Sequence, residues 1–88
     1  MNPDQIKTML VEVLTDVTGN TYPPLTDEQN LREQLQLDSL DMVSMAIEVQ
    51  ARLGVAIDPE EVTSIVTVGD LVALLSKKSA AAAPNRAA

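Results

Sequence analysis

Ile6, Met9, Leu10, Val13, Leu14 and Val17 recur at spacings of three and four residues, and this stripe restricts the fold more than any other feature. A run with that period lies on one face of an amphipathic helix, whereas a strand would send its members to alternate sides. The flanks agree. Asn2 is suited to cap the helix, Pro3 fits the first helical position, and Gln5 completes a capping-box pattern. Gly19-Asn20 then stops it, so a helix is predicted over residues 3–18.

The same punctuation returns downstream. Asp38 as N-cap, Asp41 at N3 and Gly54 at the C-terminal stop predict a helix over residues 39–53. Asp58-Pro59-Glu60-Glu61 reads as an N-cap, a proline at N1 and acids in the first turn of a short third helix. Thr67 caps a last helix, with Asp70 at N3 and Val68, Leu71, Val72, Leu74 and Leu75 on its apolar face. Residues 19–37 form a long connection in which Pro23-Pro24 forbids regular helix. Leu25, Leu31, Leu35 and Leu37 are expected to tack it to the core, and Asn30-Leu31-Arg32-Glu33 to form a capped short helical turn. The fold class is therefore all-α, a small four-helix bundle with a long loop between helices 1 and 2 and a short third helix. Residues 1–77 are assigned to this domain. Residues 78–88, rich in alanine, are assigned to a disordered tail, in which alanine's helix propensity would also allow fraying helix.

Composition removes whole classes of function. The 88 residues contain no Cys and no His, so disulfides, thiolates and the usual neutral-pH base and metal ligand are all missing from the chain. The lysines lie near the ends, which leaves no Ser-Lys pair in prospect. Glycine-rich phosphate loops and the spaced acids of a calcium-binding loop are lacking as well. We expect no catalytic residues, no metal site and no enzyme activity. The formal charge is −7, and residues 1–76 set thirteen acids against Lys7, Arg32 and Arg52, a balance of −10. Such a surface repels nucleic acid and anionic membranes and attracts basic partner surfaces. With no apolar run of transmembrane length and no signal-peptide pattern, a cytoplasmic monomer is expected.

Ser39 opens the second helix between Asp38 and Asp41. Without a histidine or cysteine nearby in sequence, its hydroxyl is better suited to receive a group than to act as a nucleophile on a substrate. A phosphodiester there would sit at the positive end of the helix. The plain alternative is ordinary capping chemistry, since Ser and Asp are favoured at helix starts. The helix also carries two apolar stripes, Leu40, Val43 and Ile47 in one and Met45, Ala46, Val49 and Leu53 in the other. Spacing alone leaves open whether both face the core or one is a docking surface.

Asp38-Ser39-Leu40-Asp41, with Leu53-Gly54-Val55, Ile57-Asp58-Pro59-Glu60-Glu61 and Thr67-Val68-Gly69-Asp70-Leu71 in register behind it, resembles the acyl carrier proteins over roughly residues 4–76. The resemblance implies that Ser39, within the motif Asp38, Leu40 and Asp41, carries a 4′-phosphopantetheine arm. That arm comes from coenzyme A through a magnesium-using holo-synthase (a phosphopantetheinyl transferase), and its thiol holds acyl groups as thioesters. It further implies that Leu40, Val43, Ile47, Asp41 and Glu48 dock acyl-transferring, condensing or ligase enzymes with basic patches. Met45, Ala46, Val49, Leu53 and Ile57 would line the core around the acyl chain. Two departures are visible. Gln36 and Leu37 replace the Gly and small residue usual in carriers of bacterial fatty-acid synthesis, and Ser44, Gln50, Ala51 and Arg52 dilute the acids of the second helix. The role implied is that of a carrier in fatty-acid, polyketide or related lipid biosynthesis, and the departures point to a specialised carrier for polyketide, lipid-modifying or aminoacyl chemistry. The rival functions are a peptidyl or D-alanyl carrier and an unmodified helical interaction module. Met1 suits a free-standing protein, and the alanine-rich tail suits a domain of a larger chain.

Overall fold

In the computed structural model, which describes residues 2–82, the first helix starts as its capping residues require. Asn2 Oδ1 accepts the Gln5 N–H at 2.8 Å, and the Asn2 N–H donates to Gln5 Oε1 at 2.9 Å. Helix α1 spans Pro3–Thr18, and Gly19 closes it with a left-handed φ of 78°. Helix α2 (Ser39–Leu53) ends at Gly54, φ 68°, whose N–H returns to the Gln50 carbonyl. Helix α3 (Pro59–Thr63) is capped by Asp58, and α4 (Val68–Ala82) by the Thr67 hydroxyl, which accepts the Asp70 N–H at 3.2 Å. Helix α1 packs against α2 and α4, and α2 packs against α3. The architecture is the expected four-helix bundle.

Its core is aliphatic. Ile6, Leu10, Val13 and Leu14 from α1 meet Met42, Met45, Ala46 and Val49 from α2, Val62 from α3, and Val68, Leu71 and Leu75 from α4, each at most 1% exposed. The long connection belongs to this core, because Leu25, Leu31, Leu35 and Leu37 are all buried. It is also stitched to the start of α4. The Leu31 N–H donates to the Val66 carbonyl at 2.9 Å, Val68 N–H to Gln29 O at 2.9 Å, and Gly69 N–H to Asp27 O at 3.0 Å. A Cβ at Gly69 would stand 3.0 Å from Asp27 Cβ, so a larger residue there would require Asp27 to shift. Asn30 forms an isolated antiparallel bridge with Thr67, and residues 31–34 form turns rather than helix, with Asn30 Oδ1 accepting from the Arg32 and Glu33 amides.

Helical structure runs past the boundary expected after residue 77, as the fraying helix allowed for the tail permits. Helix α4 continues to Ala82, and Lys78 Nζ reaches Glu61 Oε1 at 2.8 Å, tying α4 to α3. Alanine and lysine are good helix formers, and the Lys78 pair anchors the extension. The rest of the expected tail, residues 83–88, lies outside the described residues, as does Met1.

Gln36 is the one described non-glycine residue with positive φ, at 58°. It occupies the position where the carriers it resembles place glycine. A side chain in this region costs about 1–2 kcal/mol, while glycine costs roughly 0.5–1 kcal/mol in unfolded-state entropy. Gln36→Gly is therefore expected to stabilise the fold by about 0.5–1 kcal/mol, read as a higher urea midpoint at unchanged m. A lower midpoint would show that the Gln36 backbone is not strained.

Candidate functional site

The start of α2 is fixed by two reciprocal bonds. Asp38 Oδ1 accepts the Asp41 N–H at 2.8 Å, and Asp41 Oδ2 accepts the Asp38 N–H at 3.3 Å. This capping box orients the first turn and leaves Ser39, at the first helical position, exposed to solvent. Its hydroxyl is close to one charged group. Arg32, in the turn before α2, places Nη1 3.4 Å from Ser39 Oγ, while its Nη2 donates to the Thr63 carbonyl at the end of α3 at 2.9 Å. One guanidinium thus spans the connection, the head of α2 and the tail of α3.

Arg32 differs from Lys7, Arg52 and Lys78 in what it touches. Lys7 pairs with Asp27 at 2.8 Å and Lys78 with Glu61. Arg52 gathers Glu12, Asp16 and Glu48 within 2.9–3.3 Å. Hydrogen bonds from Asp27 and Glu12, respectively, hold the Lys7 ammonium and the Arg52 guanidinium above their ordinary ranges. No ion pair of Arg32 with a carboxylate is found among the described residues, and its guanidinium is turned to two neutral oxygens.

The two apolar stripes of α2 differ in exposure. Leu40 is 72% exposed and Ile47 60%, with Val43 half-buried between them. Met45, Ala46 and Val49 are buried in the core with Ile57, and Leu53 packs half-buried against it. Met42 completes this inner face and is fully buried. Its spacing to Met45, Ala46 and Val49 places it one turn before the stripe expected from the sequence.

The two acids expected to dock partners are both engaged within the chain. Asp41 closes the capping box, and Glu48 Oε2 lies 3.3 Å from Arg52, which draws it toward α1. The interior residues expected to line an acyl chain line neither of two surface hollows. One of these, of about 510 Å³, lies beside the end of α1 and the connection, where Thr18, Tyr22, Gln34, Gln36 and Asp41 face it. The other, also about 510 Å³, is bounded by Lys7, Val11, Tyr22 and Leu25. Among the described residues, no helix is long and apolar enough to cross a membrane.

The arrangement offers an exposed primary hydroxyl on a rigid helix start, a cation beside it and an apolar strip leading away from it. That combination suits covalent attachment of an anionic group followed by protein docking. Comparison with known proteins points the same way. The family model for the phosphopantetheine attachment site matches residues 5–75. The meromycolate extension acyl carrier protein of Mycolicibacterium smegmatis is 35% identical over 74 residues, covering 84% of this chain and 75% of that protein. The acyl carrier protein of Rhodococcus erythropolis is 31% identical over 77 residues, covering 88% of this chain and 85% of that protein. A crystal structure of an acyl carrier protein from Thermotoga maritima shares the fold, with a TM-score of 0.79 over 89% of this chain and 91% of that one at 24% identity.

Proposed function

The chain belongs to the acyl carrier family of phosphopantetheine attachment-site domains, and from that premise we propose that Ser39 is the residue that carries its arm. The family's cofactor is 4′-phosphopantetheine and its role is to carry acyl groups in lipid biosynthesis. The observation that supports Ser39 is its exposed hydroxyl at the first position of α2, held in place by the Asp38–Asp41 box.

In this reading the Ser39 oxygen bonds to the phosphorus of coenzyme A that bears the pantetheine. The bond from that phosphorus to the departing adenosine 3′,5′-bisphosphate breaks, and the hydroxyl proton passes to a base of the holo-synthase. The arm, once bound, supplies a thiol that a cysteine-free chain lacks. Around it the residues of the chain bind and orient. The positive end of α2 and Arg32 face the site of the phosphodiester, while Leu40, Val43 and Ile47 give partner enzymes an apolar strip to close on. Asp41 and Glu48 lend that strip negative charge for basic docking patches, at a level reduced by Arg52. The chain acts as a monomeric cytoplasmic carrier for acyl-processing enzymes of lipid synthesis and catalyses nothing itself. Residues 1–77 form the carrier unit. Met45, Ala46, Val49, Leu53 and Ile57 would admit a cargo by repacking, for which an interior containing methionine is suited.

The test is to charge the holo form with an acyl group by an acyl-transferring enzyme and expose the product to neutral hydroxylamine. A thioester releases its acyl group, returning the protein to its holo mass. An acyl mass that resists hydroxylamine would place the acyl group elsewhere than on a thiol and contradict the reading. An aminoacyl mass in the protein from its native cell would favour a peptidyl or D-alanyl carrier.

A further inference from the structure

An anion attached to Ser39 would meet Asp38 and Asp41 in the same turn, and residues 1–76 have a net formal charge of −10. Like charges this close oppose the addition, so something in the site must offset them. Arg32 is the side chain placed to do so. Its Nη1 is already 3.4 Å from Ser39 Oγ, the oxygen to which phosphorus would bond. The non-bridging oxygens of a phosphodiester would stand two bonds from Oγ, on the phosphorus bonded to it, inside the reach of a guanidinium whose planar fork matches phosphate geometry. The other arm of the fork is anchored on the Thr63 carbonyl at 2.9 Å, which preorganises the cation and limits the entropy lost on binding. In a chain whose Lys7, Arg52 and Lys78 all sit on carboxylates, this guanidinium is turned to neutral oxygens at the modification site.

We infer that Arg32 is the internal counter-ion of the arm. On loading it exchanges the weak Ser39 Oγ contact for a charge-assisted bond to the phosphodiester while keeping Thr63. It thereby directs the arm toward the α2–α3 side of the bundle. This inference rests on Ser39 carrying the arm, and it adds a positioning residue that the attachment motif does not contain.

The experiment uses the full chain in apo and holo forms, the latter made with coenzyme A, magnesium and a broad-specificity holo-synthase. Intact mass first reports loading. Failure at that step would overturn the assignment of Ser39 rather than the role of Arg32. Unfolding equilibria at low salt are then measured for apo and holo wild type, Arg32→Gln and Arg32→Lys. The quantity read is the effect of loading in each variant, so loss of the Thr63 bond, common to apo and holo, cancels. Loading is expected to favour the folded wild type over the folded Arg32→Gln protein by roughly two- to fivefold in the unfolding equilibrium constant. Arg32→Lys, a point charge without the fork, should keep part of this, and added salt should erode it. In wild type, the Arg32 guanidinium ¹⁵N–H resonances should shift on loading and exchange more slowly with water. Equal loading effects in wild type and Arg32→Gln, or Arg32 resonances unmoved by loading, would overturn the inference.

Discussion

Ser39→Ala is expected to abolish phosphopantetheine loading outright while leaving the fold intact. The two halves of this expectation have separate causes. Loading requires an oxygen nucleophile, and a methyl group supplies none. Stability, by contrast, depends little on this hydroxyl. Ser39 is exposed, its Oγ contact with Arg32 is 3.4 Å long, and the helix start is secured by Asp38 and Asp41 instead. Exposed substitutions away from caps and core shift stability by about 0.5 kcal/mol or less. Circular dichroism and urea unfolding should therefore match wild type within that margin, while the mass after incubation with holo-synthase stays that of the apo chain. A modified Ser39→Ala protein would move the attachment site to another residue.

Leu31→Ala should produce the largest loss of stability. Leu31 lies in the connection between α1 and α2, yet its side chain is fully buried and its backbone bonds both Val66 and Leu37. Truncating a buried leucine costs about 2–5 kcal/mol through lost transfer energy and the cavity left behind. A domain of this size has a total stability near the low end of about 5–15 kcal/mol. At roughly 4–8 °C per kcal/mol, the melting temperature should fall by ten degrees or more. Leu40→Ala makes the contrast, because Leu40 is 72% exposed and should leave the melting temperature nearly unchanged while weakening partner docking. If the Leu31 variant melted like the Leu40 variant, the connection would be a surface loop and not a part of the core.

These variants mark what could be read from the sequence. Helix limits were legible because capping is local: Asn2 with Gln5, Asp38 with Asp41 and Thr67 with Asp70 each satisfy a helix end within three residues. The leucines of the connection were legible because polar neighbours isolate them. Arg32 was not. Ser39 is seven residues away and Thr63 thirty-one, and no periodicity links a turn to the end of another helix. The engagement of Glu48 had the same origin. Arg52 one turn on was visible, but its pull toward Glu12 and Asp16 depends on α1 lying beside α2. The Lys78 pair with Glu61 was hidden for the same reason, since it joins two different helices.

The arm's position is the claim on which docking, Arg32 and cargo all depend. It is tested most directly by fragmenting the holo-protein in a mass spectrometer and locating the added mass. The account predicts a single 4′-phosphopantetheine group, its mass confined to fragments that contain Ser39. An adduct on fragments lacking Ser39, or no adduct after incubation with coenzyme A, magnesium and an active holo-synthase, would contradict it.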